Sequence, residues 1–222
     1  MPHRFEMHFH TAQTSPCGSI PAAEGIAAYA KQGYAGVVVT DHYAAYQFEG
    51  RPGSWADRME GWLAGYRAAR AAGEAAGVTV LLGMELRLGP GPNEYLVYGV
   101  TPEQLLAEPA LYRLDPPGMR AAADRYGWFV AQAHPCRPGM TRCPPALLDG
   151  VEIYNGNKRH DSHNDEAEAF CRENGLIGLS GSDFHEWEDL ARGGLALEEA
   201  VFSAAELLRL LRAGRFTVLR AP

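Results

Sequence analysis

Short apolar stretches that read as strands alternate with segments that read as helices along the whole chain, and this alternation restricts the fold more than any other feature. "RFEMHFH" reads as a strand, with Phe5, Met7 and Phe9 on one face and Glu6, His8 and His10 on the other. A helix follows, with Ser19 as cap, Pro21 in its first turn and Gly33 at its end. "YAGVVVTDH" is a buried strand, and a polar loop over 43–54 leads into one Ala-rich helix over 55–76. "VTVLLGMELRL" and, after a Gly-Pro turn, "NEYLVYGV" are further strands. Helices near 102–108 and 118–126 precede the strands "WFVAQAH" and "GVEIYNG". The helix "HNDEAEAFCRENG", the strand "LIGLSGSDFH", a possible strand "GGLALE", the helix "SAAELLRLLRAG" and the strand "RFTVL" complete the chain. Repeated β-α units predict a parallel sheet with helices outside it, and about seven or eight units in 222 residues fit a small α/β barrel. A single domain over residues 1–222 is expected.

In a β/α barrel the strand C-termini converge on one face, where active sites are built. His8 and His10 end the first strand here, Asp41 and His42 the second; Glu85 lies on the third and Glu94 opens the fourth. His134, Asn155, Asp183 and His185 follow on later strands. Five of the eight histidines thus fall at strand ends, with four carboxylates. Imidazole and carboxylate together suit zinc, manganese or iron, and carboxylates can bridge two ions. His3, His160 and His163 read as surface or loop residues.

Other classes are disfavoured. The formal charge of -7 argues against extended nucleic-acid binding or attachment to an anionic membrane. No apolar run approaches the about 20 residues of a membrane span, and "MPHRFEMHFH" lacks a signal-peptide apolar region, so a cytoplasmic setting is expected. The four cysteines are then expected as thiols, and none forms a C-x-x-C pair. There is no G-x-G-x-x-G or Walker-type loop.

In their order, "HFH", "TDH", "GMEL", "AHP" and "GSDFH" resemble the motifs of the PHP domains, the polymerase and histidinol phosphatase family of metal-dependent phosphoesterases. The resemblance implies a distorted β/α barrel, commonly seven-stranded, with two or three divalent ions in its mouth. It also implies that His8, His10, Glu85 and Asp183 resemble the ligands of a first ion. Glu85 would bridge to a second ion, also held by His134. His42 and His185 resemble ligands of a third, and Asp41 would orient an imidazole. Two positions depart from the family. "SPCG" places Cys17 where many members have Asp in "SDG", and "EYLVYG" offers Glu94 where many have His. Both are candidate ligands.

The expected activity is hydrolysis of a small phosphomonoester by metal-activated water, with Asp183 or His185 assisting proton transfer. Arg137 is the first candidate to grip phosphate, with Asn155, Arg159 and Arg192 as further candidates. Phosphodiester cleavage by an exonuclease, another metal-dependent hydrolysis, and a metal-binding regulatory module without turnover are the alternatives.

Overall fold

The computed structural model describes residues 2–221. The strands are β1 (His3–Phe9), β2 (Tyr34–Val39), β3 (His42–Tyr43), β4 (Thr79–Arg87), β5 (Glu94–Tyr98), β6 (Phe129–Gln132), β7 (Gly150–Asn155), β8 (Ile177–Gly181), β9 (Gly193–Leu197) and β10 (Phe216–Arg220). The helices are α1 (Ala22–Lys31), α2 (Ala45–Phe48), α3 (Trp55–Trp62), α4 (Ala64–Ala76), α5 (Pro102–Ala107), α6 (Pro116–Tyr126), α7 (Asn164–Glu173) and α8 (Ala204–Arg212).

Nine strands, in the order β10-β9-β1-β2-β4-β5-β6-β7-β8, form a nearly closed barrel-shaped sheet, two more than the seven expected. Closure comes just past β8, where Phe184 bridges Phe9, His10 N–H donates to Phe184 O, and Phe184 N–H donates to His8 O. The first half of β1 pairs antiparallel with β9 instead, β10 pairs with β9 in turn, and Ser180 of β8 bonds to both, accepting from Gly194 N–H and donating to Leu219 O. Gly181 permits the closure: a Cβ there would lie 2.3 Å from the His8 Cβ.

The barrel is not wholly parallel, as simple β-α repetition predicts. β5 runs antiparallel to both β4 and β6. Only the Gly-Pro turn separates β4 from β5, too few residues for a parallel crossover. Reversal brings the first residue of β5, Glu94, to the end of the barrel where β4 carries Glu85 and Arg87.

A bulge in β1 changes its facing. Glu6 pairs with Val37 but Phe9 with Val39, so β1 spends three residues against two. Phe5 and Met7 consequently join the buried cluster of Val38, Leu81, Leu96, Tyr98, Ala131 and Leu179 from the other strands, whereas Phe9 packs with Ile26 and Tyr29 of α1. An unbroken period of two would keep Phe9 with Met7. The Glu6 carboxylate takes up the freed backbone, accepting from Met7 N–H at 2.9 Å, His8 N–H at 2.8 Å and Ser182 N–H at 2.8 Å.

The expected helix over 55–76 is two helices. Thr14 Oγ1 donates to Trp62 O and accepts from Gly65 N–H, which interrupts the ladder at Leu63. α8 contributes Leu207, Leu208, Leu210 and Leu211 to the same cluster as the barrel strands. No helix is long and apolar enough to cross a membrane among the described residues.

Candidate metal centre

The barrel mouth gathers acids and imidazoles around Glu85, which is 1% exposed. Glu85 Oε1 lies 3.2 Å from His8 Nε2 and 3.1 Å from His134 Nε2. Its Oε2 lies 2.8 Å from His42 Nδ1 and 3.3 Å from His10 Nε2. Asp183 Oδ1 lies 3.4 Å from His8 Nε2, 3.5 Å from His10 Nε2 and 3.3 Å from His185 Nδ1. Glu94 closes the opposite side, 3.5 Å from His42 Nδ1 and 3.6 Å from His134 Nε2. Cys17 Sγ sits 3.1 Å from His185 Nε2.

Three overlapping sets have one possible ligand atom per residue within 4.8 Å of one another: His8–His10–Glu85, His42–Glu85–Glu94 and His10–His42–His185. His8 Nε2, His10 Nε2, His42 Nδ1 and Glu85 Oε2 are buried and crowd against one another at 2.8–3.3 Å without a well-aligned hydrogen bond. Buried polar atoms are ordinarily satisfied. This donor set fits divalent ions.

The imidazoles are aimed by their other nitrogens. His8 Nδ1 is 2.9 Å from Glu152 Oε1, and His185 Nδ1 is 2.9 Å from Asp183 O. His10 Nδ1 is 3.1 Å from Ser15 Oγ, which donates to Asp41 Oδ1 at 2.7 Å. Asp41 therefore reaches an imidazole through Ser15, and it also accepts from Thr11 N–H and Oγ1. Two members of the cluster hold left-handed backbone, His134 at φ 27° and Asp183 at φ 51°. Such strain persists only when the surroundings impose it, and it collects at functional sites.

Charge is tightly coupled here. Burial alone would lower His8, but the carboxylates of Asp183, Glu152 and Glu85 hold it well above the ordinary imidazole value. Burial also opposes a charge on His42, and Glu85 nevertheless raises it. His10 falls well below the ordinary value through burial and the neighbouring His185 and His42. Burial, then Glu85, push Glu94 up to about 7. Burial would raise the Cys17 thiol, yet hydrogen bonding to His185 and His42 brings it down to about 6.

The cluster forms the floor of a cavity of about 370 Å³, whose wall includes Glu85, His134, Asp183 and His185 together with Arg137, Arg159 and His160. Arg137 donates to Asp183 Oδ2 at 2.9 Å, and Arg159 to Asp189 Oδ2 at 2.8 Å. Two candidate phosphate contacts stand elsewhere. Asn155 is buried and donates to Glu152 and Asp183, holding carboxylates in place. Arg192 is not part of the cavity wall, because its Nε donates to Gly156 O. Sequence reasoning missed Glu152 and Glu6, and it gave His160 no part in a site. The signal for the first two was a lone acid inside each of the apolar strands "GVEIYN" and "RFEMHF".

This fold has relatives among solved structures. A two-domain protein from Bacteroides vulgatus, containing a predicted PHP-like metal-dependent phosphoesterase, matches 100% of this chain with a TM-score of 0.68 at 15% identity; the chain spans 65% of that protein. A family model described as PHP-associated matches residues 161–216. The chain has the PHP fold. PsfC from Pseudomonas syringae shares this architecture with a TM-score of 0.70 at 16% identity, over 99% of this chain and 91% of its own. So does an amidohydrolase from Chromobacterium violaceum, determined with bound sulfate and no metal, with a TM-score of 0.57 at 16% identity over 97% of each chain. Likeness at these identities establishes the PHP fold and leaves the reaction open. No curated protein matches the sequence.

Proposed function

We propose that this PHP-fold chain is a metal-dependent phosphoesterase that hydrolyses a small phosphomonoester. The observation that carries this reading is the set of buried ligand atoms on His8, His10, His42 and Glu85 that crowd together without well-aligned hydrogen bonds, beside a small cavity with arginines in its wall. His8, His10, Glu85 and Asp183 would hold one ion, Glu85, Glu94 and His134 a second, and Cys17, His42 and His185 a third. Bound ions would supply Lewis-acid stabilisation of a phosphoryl group and activation of water. The protein's part is to place these ligands, to bind the anion through Arg137 and Arg159, and to offer Asp183 or His185 for proton transfer. A cavity of about 370 Å³ suits a small molecule better than an extended strand of nucleic acid.

A screen of the metal-reconstituted protein against phosphomonoesters, nucleotides and short oligonucleotides tests this reading. Phosphate release from monoesters alone is the expected result. Shortening of oligonucleotides contradicts it in favour of a nuclease, and silence across the panel with ions counted contradicts turnover of these substrates.

Arg137 has two possible tasks, because its guanidinium already holds Asp183. We expect it to grip substrate phosphate. Loss of a charged hydrogen bond costs about 1.5–3 kcal/mol, so Arg137→Ala should lower kcat/KM roughly ten- to a hundred-fold, chiefly through KM, with metal content unchanged. Steady-state kinetics with elemental analysis of the same samples checks this. Lost metal would instead make Arg137 the support of Asp183.

A further inference from the structure

The ligand atoms of the barrel mouth are not chemically uniform. On one side, Glu85 and Glu94 bring two carboxylates to His42 and His134. On the other, Cys17 Sγ faces His185 Nε2 at 3.1 Å, and the His185 ring stacks 4.2 Å from the His10 ring. Hard carboxylate oxygen suits manganese, whereas thiolate with imidazole suits zinc.

Resting on the metal-centre reading, we propose that the corner formed by Cys17, His42 and His185 selects zinc, while the Glu85–Glu94 side takes a harder ion, so that the loaded protein is a mixed-metal one. The thiol does not stand alone. His42 and His185 form, with His10, one of the three sets of close ligand atoms, His10 Nε2 is buried without a hydrogen-bond partner, and Cys17 adjoins that set through its 3.1 Å approach to His185 Nε2. The loop that carries Cys17 is also built to hold it there. Gly18 N–H donates to Ser15 O, while Ser19 N–H and Ser19 Oγ both donate to His185 O. A Cβ on Gly18 would lie 3.2 Å from the Thr11 carbonyl carbon and oxygen, so the turn after Cys17 is tightly seated. His185 Nδ1 is engaged by Asp183 O, which leaves Nε2 to face the sulfur. An aspartate at position 17 would provide a hard oxygen instead of this soft donor.

Cobalt(II) reports thiolate ligation without any substrate. The stripped protein is reloaded with cobalt, the ions are counted by elemental analysis, and the near-ultraviolet spectrum is read. A thiolate-to-cobalt charge-transfer band is expected in the wild type and absent in Cys17→Ser. In Cys17→Ser the affinity of one zinc ion should fall by more than about tenfold. Cys17→Asp should keep the ion count and, in competition between zinc and manganese, exchange one zinc for manganese. Cobalt bound at full count without the band overturns the proposal, as does an unaltered zinc preference in Cys17→Asp. Failure to bind cobalt at all removes the metal-centre reading as well, so the two failures are told apart.

Discussion

Replacing Glu85 with glutamine should abolish metal binding at more than one position and lower phosphate release on the order of 10³-fold. This carboxylate lies within 3.3 Å of an imidazole nitrogen on each of His8, His10, His42 and His134. An amide keeps its volume but removes the charge and turns an N–H₂ group toward atoms that would hold cations. The metal-free protein should also lose stability. Glu85 helps to hold His8 and His42 above the ordinary imidazole value, and breaking a buried ion pair on one side costs about 3–5 kcal/mol. With Glu85 uncharged, both imidazoles should move toward neutrality. Thermal melts, elemental analysis and kinetics on Glu85→Gln read the three effects. Wild-type ion content with wild-type rate would remove Glu85 from the centre.

The second large effect belongs to a residue outside the wall of the site cavity. Glu152→Gln should weaken metal binding or activity by about ten- to a hundred-fold, the usual cost of losing a partner that aims a ligand. Glu152 is fully buried and binds three groups: His8 Nδ1 at 2.9 Å, His134 N–H at 3.0 Å and Asn155 Nδ2 at 3.0 Å. It thus fixes the tautomer of one imidazole and the strained backbone of another, His134. Glutamine can retain the shape and one acceptor but not the charge that supports a donating His8. The expected signature is a raised metal dissociation constant and an intact circular dichroism spectrum. Unchanged metal affinity would reduce Glu152 to a packing residue.

Much of this arrangement could be read before any coordinates, for a local reason. Residues at strand ends are brought together by the barrel whatever the details of packing, so alternation placed His8, His10, Asp41, His42, Glu85, Glu94, His134, Asn155, Asp183 and His185 at its mouth, and the resemblance to the PHP motifs singled out the ligands among them. The antiparallel β5 departs from the parallel sheet expected, although the turn from Leu88 to Asn93 is too short for a crossover. Three features depend on partners far away in sequence. The β1 bulge is held by Glu6 with Ser182, and the break at Leu63 needs Thr14. Arg192 of "DLARGG" stood as a candidate phosphate contact until the fold placed the Gly156 carbonyl beside its Nε. Glu152 escaped because the end of its strand drew notice to Asn155, whereas the acid that aims the imidazoles lies three residues earlier.

Chelation followed by reloading tests the metal centre most directly. The protein is stripped, its ions are counted, and phosphate release is followed on the best monoester as zinc, manganese or iron is returned. The stripped protein should be inactive, and activity should recover in step with two or three ions per chain. Full activity in protein shown by elemental analysis to contain no metal would contradict the account.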